Sequence, residues 1–254
     1  MDCRWGYVVF ATDEYSDCDP SAFMRGETVN TTAYAEELER NVAYLRERED
    51  VNSSLIGIAG HSMGGGASVN AAAALGNVVR AVIPIAPWNG IEPRPSSMVS
   101  RVSAPLLIMC ARNDSLVPCT GPVTTEIDFA GIRIPFASIM PEEDVDWGGG
   151  VFAIYENVNP QTPAILAVVR DANHLTIADS DGSRMSRAER YFSRFLRFPQ
   201  IELPAGTIVP TIEYLVAFLE WTMREDAVAF DLLWGQQGIM EDYRFMQPVQ
   251  RSSA

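Results

Sequence analysis

A chain of 254 residues is long enough to form one domain with a sizeable hydrophobic core. Its formal net charge of -14 argues against a nucleic-acid-binding protein, because such proteins need a basic surface, and it disfavours binding to anionic membranes. No apolar run approaches the roughly 20 residues that cross a bilayer, and the presence of only two histidines excludes a His-rich metal site. We therefore expect a single domain over residues 1–254, with no membrane span and no metal.

The predicted elements alternate between strands and helices along most of the chain. Short apolar runs are typical of buried strands, whereas apolar residues spaced three or four apart indicate amphipathic helices. In chain order, strands are predicted at 5–11, 55–59, 80–86, 105–111 and 164–169, and helices at 31–48, 63–75, 186–198, 210–224 and 226–234. This alternation favours an α/β fold in which a mostly parallel sheet carries helices on both faces.

Residues 121–163 interrupt this alternation. They are rich in glycine and proline and contain an acidic run at 142–144. An irregular connection of this length usually indicates a lid, a flap or an insertion. We expect a lid-like insertion here, and a loose C-terminus after the last predicted helix.

Ser62 lies in the sequence GHSMG at 60–64, a G-x-S-x-G pattern. An apolar strand precedes it and an alanine-rich helix follows it, which is the context of a nucleophile elbow. Such a turn holds the serine in a strained conformation, and we expect Gly60 and Gly64 to let the strand and helix pass closely. The alternative is a glycine-rich turn that only packs or holds a phosphate, although no G-K-[ST] follows here.

A serine hydroxyl needs a base to remove its proton, and the chain offers two histidines for that role. His61 lies inside the elbow, and its side chain is expected to leave on the other face from Ser62. His174 follows a predicted strand, and functional groups cluster at the carboxyl ends of strands in open α/β sheets. We therefore interpret His174 as the base, with a hydrogen-bonded histidine on the surface or in the core, without a catalytic role, as the alternative.

The third group must be a carboxylate that holds the imidazole tautomer and stabilises the imidazolium. Asp114 follows the predicted strand at 105–111 and gives the chain order serine, acid, histidine that is typical of hydrolases with a nucleophile elbow. Asp171, three residues before the histidine, and Asp13, after the first predicted strand, are the alternatives.

Four motifs together resemble the bacterial cutinase-like polyester hydrolases (PET-hydrolase type), in the dienelactone-hydrolase branch of the α/β-hydrolases. They are GHSMGGG at 60–66, APW at 86–88, NDSLVP at 113–118 and NH at 173–174. The resemblance implies an α/β-hydrolase fold. As a set these motifs are specific for that branch, although each alone is not.

The resemblance extends in order from about Trp5 to Thr176, and more loosely through the predicted helix over Thr211 to Trp221. It implies Ser62, Asp114 and His174 as the catalytic triad. It further implies the Met63 N–H group as an oxyanion donor, and Trp88 as an aromatic wall for the substrate. The alternative for Trp88 is core packing after a strand.

Three features differ from the resembled family. Members carry further strands before the one predicted at 5–11, with a loop that supplies a second oxyanion donor, so we expect an N-terminally truncated sheet. Loss of one such donor typically costs about 10²–10³ in rate. The connection at 123–150 is longer than theirs. No cysteine lies beside His174, and Cys110 is expected as a buried thiol in preference to a disulfide with Cys119.

The resemblance implies a serine carboxylic ester hydrolase that acts through an acyl-enzyme intermediate on a small-molecule or polymeric ester and requires no cofactor. Alternatives are a hydrolase for a lactone, phospholipid acetyl ester, thioester or peptide, or a vestigial non-catalytic protein. Relatives are often secreted, whereas the start of this chain is not typical of a signal peptide. The sequence leaves the compartment and the oligomeric state open.

Overall fold

The structure is a computed structural model whose described residues form a central sheet with helices on both faces. It describes residues 6–11, 31–89, 93–114, 117–120, 126–129, 132–135, 150–170, 172, 174, 177, 208–236, 238–242, 245 and 250–252. The strands are β1 Ile56–His61, β2 Val79–Ile85, β3 Leu106–Ala111, β4 Glu126–Phe129, β5 Ile132–Pro135, β6 Ala164–Val169 and β7 Gln250–Arg251. The α-helices are α1 Thr31–Arg46, α2 Met63–Leu75, α3 Pro95–Met98, α4 Gly150–Glu156, α5 Ile208–Arg224 and α6 Ala227–Trp234.

The main sheet has five strands in the order β1-β2-β3-β6-β7. The first four are parallel to one another, and β7 is antiparallel to β6. Parallel strands need helical crossovers, which is why helices cover both faces. The predicted mostly parallel sheet is therefore confirmed, and the carboxyl ends of β1, β3 and β6 lie at one edge.

Strand β3 shows how the core is divided into two layers. Every side chain from Leu106 to Ala111 is fully buried, and successive residues point to opposite faces. Leu106, Ile108 and Cys110 pack in the cluster that contains α1 and α2, whereas Leu107 and Met109 pack in the one that contains α5 and α6. An uninterrupted apolar run is what a strand with two buried faces requires.

Helices on the two sides differ in composition because they differ in burial. Helix α2 is rich in alanine and glycine, and residues 65–72 are all buried between the sheet and α1. Helix α5 is amphipathic: Tyr214 and Phe218 are buried, whereas Ile212 is exposed. Among the described helices, none has the length and apolar character that a bilayer crossing requires.

The prediction of a strand at 5–11 is wrong for the described residues 6–11, which form no strand. Val8, Val9 and Phe10 are exposed there. Among the described residues, β1 pairs with β2 alone, so this segment gains no strand hydrogen bonds.

The segment is attached to the molecule through Tyr7 instead. Its hydroxyl donates a hydrogen bond to Glu220 Oε1 at 3.0 Å, and the Arg224 guanidinium lies 4.9 Å from the centre of its ring. Burial, followed by the hydrogen bond to Glu220 and its charge, raises the pKa of Tyr7 to about 12.

Two other expectations need correction. The C-terminus is not loose throughout, since β7 pairs with β6 and Ser252 Oγ accepts a hydrogen bond from the Ala164 N–H group at 2.7 Å. The connection at 121–163 contains the antiparallel pair β4–β5 and helix α4. The predicted helix at 186–198 lies outside the described residues, and the lid-like role of 121–163 stays a prediction.

Candidate active site

Ser62 occupies the sharp turn between β1 and α2. Its backbone has φ 57° and ψ -120°, a combination that is rare for residues with a side chain. The Ser62 N–H group donates to the Ile85 carbonyl at 3.0 Å, and its carbonyl accepts from the N–H groups of Gly66 at 3.1 Å and Trp88 at 2.9 Å. These bonds hold the strained residue in place. Serine at a helix N-cap usually caps with its hydroxyl, but the Ser62 hydroxyl makes no capping bond.

Close packing explains three of the four glycines around Ser62. A Cβ atom at Gly60 would lie 2.1 Å from the Gly64 carbonyl oxygen, and one at Gly66 would lie 2.4 Å from the Trp88 carbonyl oxygen. At Gly65 it would lie 2.9 Å from the Ile85 carbonyl oxygen. At Gly64 it would meet nothing within 4 Å. The expectation that Gly64 avoids a clash is therefore wrong, whereas that for Gly60 is correct.

A chain of hydrogen bonds joins Ser62, His174 and Asp114. His174 Nε2 lies 2.9 Å from Ser62 Oγ, and His174 Nδ1 lies 2.7 Å from Asp114 Oδ2. A carboxylate can only accept, so Nδ1 carries the proton and Nε2 is left to accept from the serine hydroxyl. Both His174 and Asp114 are buried, whereas Ser62 is partly exposed. The three residues come after β1, β3 and β6, whose carboxyl ends meet at one edge of the sheet.

The loop after β3 fixes the carboxylate. Asp114 Oδ1 accepts a hydrogen bond from the Val117 N–H group at 2.7 Å, so both oxygens have partners. The main chain beside it reaches the histidine segment, because the Asn113 N–H group donates to the Ala172 carbonyl at 3.0 Å. A buried carboxylate with this support stays oriented towards the imidazole.

A disulfide between Cys110 and Cys119 closes this loop, with 5.7 Å between the Cα atoms. The expectation of a free Cys110 thiol is therefore wrong in this structure. The loop returns Cys119 to the end of β3, a proximity that sequence spacing alone does not fix. Helix α4 adds to the closure, since the Phe152 N–H group donates to the Cys119 carbonyl at 2.9 Å. Asp114 lies inside the loop that the disulfide closes.

The His61 ring lies beside His174, and the expectation that it leaves on the other face from Ser62 stays a prediction. Its Nε2 atom is 2.8 Å from the His174 carbonyl oxygen, and the two ring centroids are 4.7 Å apart. The feature of the sequence that could have indicated this contact is the position of His61 directly before Ser62. The alternative acids, Asp13 and Asp171, lie outside the described residues.

Trp88 and Met63 occupy different environments. Trp88 is only 8% exposed and packs in the core cluster on the α1–α2 side, so little of its ring faces solvent. Its role as a substrate wall stays a prediction. Met63 is the first residue of α2, so its N–H group belongs to the helix start, where the helix dipole favours negative charge. Within the described residues, no group of three or more His, Cys, Asp or Glu side chains is arranged to hold a metal ion.

Comparison with known proteins gives the family. Residues 3–143, more than half of the chain, match the PET hydrolase-like model. The chain belongs to the PET hydrolase-like family. The predicted α/β-hydrolase fold is thereby confirmed, together with the resemblance to PET hydrolases. The matched residues of this PET hydrolase-like chain include Ser62 and Asp114, and His174 lies beyond them.

A bis(hydroxyethyl) terephthalate hydrolase of Streptomyces coelicolor is 32% identical over 117 residues. The aligned part covers 44% of this PET hydrolase-like chain and 33% of the Streptomyces protein. The chain therefore spans about a third of the length of that relative.

Proposed function

We propose that the protein is a serine carboxylic ester hydrolase with Ser62 as nucleophile, His174 as base and Asp114 as the orienting acid. The observation that carries this proposal is the hydrogen-bond chain from Ser62 Oγ through the imidazole to the Asp114 carboxylate, at 2.9 Å and 2.7 Å. In this chain, His174 Nδ1 donates to the carboxylate, and His174 Nε2 is free of a proton and can remove one from the serine hydroxyl. Family membership supports the same reaction class.

In the first half-reaction, Ser62 Oγ attacks the ester carbonyl carbon and its proton passes to His174 Nε2. The buried Asp114 carboxylate stabilises the imidazolium that forms. The Met63 N–H group, at the positive end of α2, donates to the oxyanion of the tetrahedral intermediate. His174 then protonates the alcohol oxygen, the carbon–oxygen bond breaks, and the acyl group remains on Ser62.

In the second half-reaction, a water molecule takes the place of the alcohol. His174 Nε2 removes its proton, the hydroxide oxygen attacks the acyl carbon, and Ser62 recovers its proton as the acid is released. Each proton moves through the same imidazole nitrogen. Neither half-reaction requires a metal or an organic cofactor.

The substrate class that we propose is a carboxylic ester, small or polymeric, including esters of aromatic acids. The name of the Streptomyces relative, a bis(hydroxyethyl) terephthalate hydrolase, supports aromatic esters in particular. Trp88 follows β2 beside the elbow, and its backbone N–H group donates a hydrogen bond to the Ser62 carbonyl. We assign it to the acyl pocket, where an aromatic ring of the substrate would contact the indole.

The experiment measures hydrolysis of p-nitrophenyl acetate and of bis(hydroxyethyl) terephthalate by the purified chain and its Ser62→Ala variant. Both reactions should disappear in the variant, and a fluorophosphonate probe should label the wild type at Ser62 only. Ser103→Ala is the matched control, because Ser103 is exposed beyond the opposite end of β3 and bonds Asn77. Hydrolysis that survives Ser62→Ala, or folded wild-type protein that resists the probe, would contradict the proposal.

A further inference from the structure

His61 makes a specific contact with the segment that carries the base. Its Nε2 atom lies 2.8 Å from the carbonyl oxygen of His174. A carbonyl only accepts, so His61 Nε2 must carry a proton and donate. The two rings lie 4.7 Å apart between centroids with a 40° angle between their planes. The residue before the nucleophile thus bonds the main chain of the residue that would remove the nucleophile's proton.

The described contacts hold the histidine segment from two directions. The Val169 and Ala172 carbonyls accept hydrogen bonds from the main chain of Arg112 and Asn113, at 2.9 and 3.0 Å. These two bonds tie the segment to the loop of the acid. The His61 bond ties the same segment to the last residue of β1, which is joined directly to Ser62.

We propose that His61 is a positioning residue that fixes the distance between the His174 imidazole and the Ser62 hydroxyl. This inference rests on the proposed ester hydrolysis by Ser62. His61 is the last residue of β1, and it pairs in register with Ile85 of β2. One planar peptide unit joins it to Ser62, so the backbones of the two residues move together. The hydrogen bond from the His61 ring therefore holds the main chain of His174 at a fixed position relative to the backbone of Ser62.

The expected consequence is on the rate of the chemical steps and not on substrate binding. Misplacing a reacting group by about 1 Å can cost about 10²-fold in rate. His61→Phe keeps a planar ring but removes the donor, and it should lower kcat by about 10- to 100-fold with little change in KM. His61→Gln offers an amide N–H donor from a side chain of comparable reach. It should restore most of the lost kcat, which a role in packing alone would not explain.

The test combines kinetics on p-nitrophenyl acetate with proton NMR of the free protein. The hydrogen-bonded Nδ1 proton of His174 should give a downfield signal that Asp114→Asn removes. In His61→Phe this signal should shift or broaden, and in His61→Gln it should return towards the wild-type position. His61→Leu is the second variant without a donor, for use if His61→Phe does not fold by circular dichroism.

The outcomes separate the two proposals. If His61→Phe is folded and matches the wild type in both kcat and the Nδ1 signal, the positioning role is wrong, although Ser62-dependent hydrolysis stands. If His61→Gln and His61→Phe lower kcat equally, the hydrogen bond from residue 61 does not determine the rate and the inference again fails. If the wild type shows no hydrolysis that depends on Ser62, the proposed function fails, whereas the NMR signal still decides whether His61 orients His174.

Discussion

Replacing Asp114 with asparagine gives the sharpest test of the hydrogen-bond chain. Asp114 Oδ1 accepts from the Val117 N–H group at 2.7 Å, and Oδ2 accepts from His174 Nδ1 at 2.7 Å. In Asp114→Asn, the Val117 donor requires the amide oxygen on its side, so the amide NH₂ group must face His174. A donor opposite Nδ1 favours the imidazole tautomer that carries its proton on Nε2. That tautomer cannot accept the Ser62 proton.

Recovering the productive tautomer would set two donors against each other in a buried site. An unsatisfied buried polar group costs about 1 to 3 kcal/mol, and losing a hydrogen bond to a charged group costs about 1.5 to 3 kcal/mol. The sum of about 2.5 to 6 kcal/mol corresponds to a fall in kcat of about 10²- to 10⁴-fold, at 1.36 kcal/mol for each factor of ten. The upper end matches the factor of about 10⁴ for the equivalent change in the serine-protease template.

Initial rates of p-nitrophenyl butyrate hydrolysis at saturating substrate measure this effect. Asp226→Asn is the matched control. Asp226 Oδ1 accepts a hydrogen bond at 2.8 Å from the N–H group of Ala229, three residues later, as Asp114 Oδ1 does from Val117. Asparagine caps a helix about as well as aspartate, so the control should keep both fold and activity. If the Asp114→Asn protein is folded and has the kcat of the Asp226→Asn control, the tautomer argument is refuted.

Three further predictions concern stability, measured by urea unfolding. Gly60→Ala should lower the free energy of unfolding by about 3 kcal/mol or prevent folding, because the added Cβ atom would collide with the backbone of Gly64. Gly64→Ala, in helix α2, should raise the free energy of unfolding by up to about 1 kcal/mol. Equal effects of the two substitutions would contradict the close approach of backbone to Gly60 alone. Cys119→Ser should cost about 2 to 3 kcal/mol and abolish sensitivity to reductant, since it opens the disulfide loop; sensitivity that persists would argue against the bridge. Tyr7 favours its neutral form when folded, so stability present below pH 10.0 should be lost as pH rises through about 12; Tyr7→Phe should weaken this fall, and an unchanged profile would contradict it.

The parts of the fold that could be predicted are those that local patterns encode. Helix α2 begins at Met63 and ends at Leu75 as predicted, because glycine-rich turn, alanine-rich run and terminal Gly76 are all adjacent in sequence. Strand β6 has the predicted bounds because its apolar run of 6 residues has the length of a buried strand and is too short for a typical helix. The approach of Ser62, Asp114 and His174 follows from parallel strands, whose carboxyl ends share an edge.

The parts that could not be predicted depend on partners distant in the chain. The apolar run at 5–11 has the pattern of a buried strand, yet a strand forms only where a neighbour satisfies its backbone groups. Gly60 and Gly64 are equivalent in the G-x-S-x-G pattern, but only the first has backbone in the path of a Cβ atom. The Cys110–Cys119 bridge needs a loop that returns to the end of β3, and nine residues of spacing permit other paths.

The same reasoning explains why the sequence alone predicts no positioning role for His61. Side-chain direction along β1 indicates which face a residue leaves from, but it does not reveal which loop passes over the end of the strand. A site assembled from three loops needs connections between each pair of loops if its atoms are to keep fixed distances. Asn113 connects the loop of Asp114 to the segment of His174, and His61 connects that segment to the turn that carries Ser62. Sequence patterns can therefore nominate the groups that we propose to react, whereas the contacts that hold these groups at fixed distances emerge from the tertiary structure.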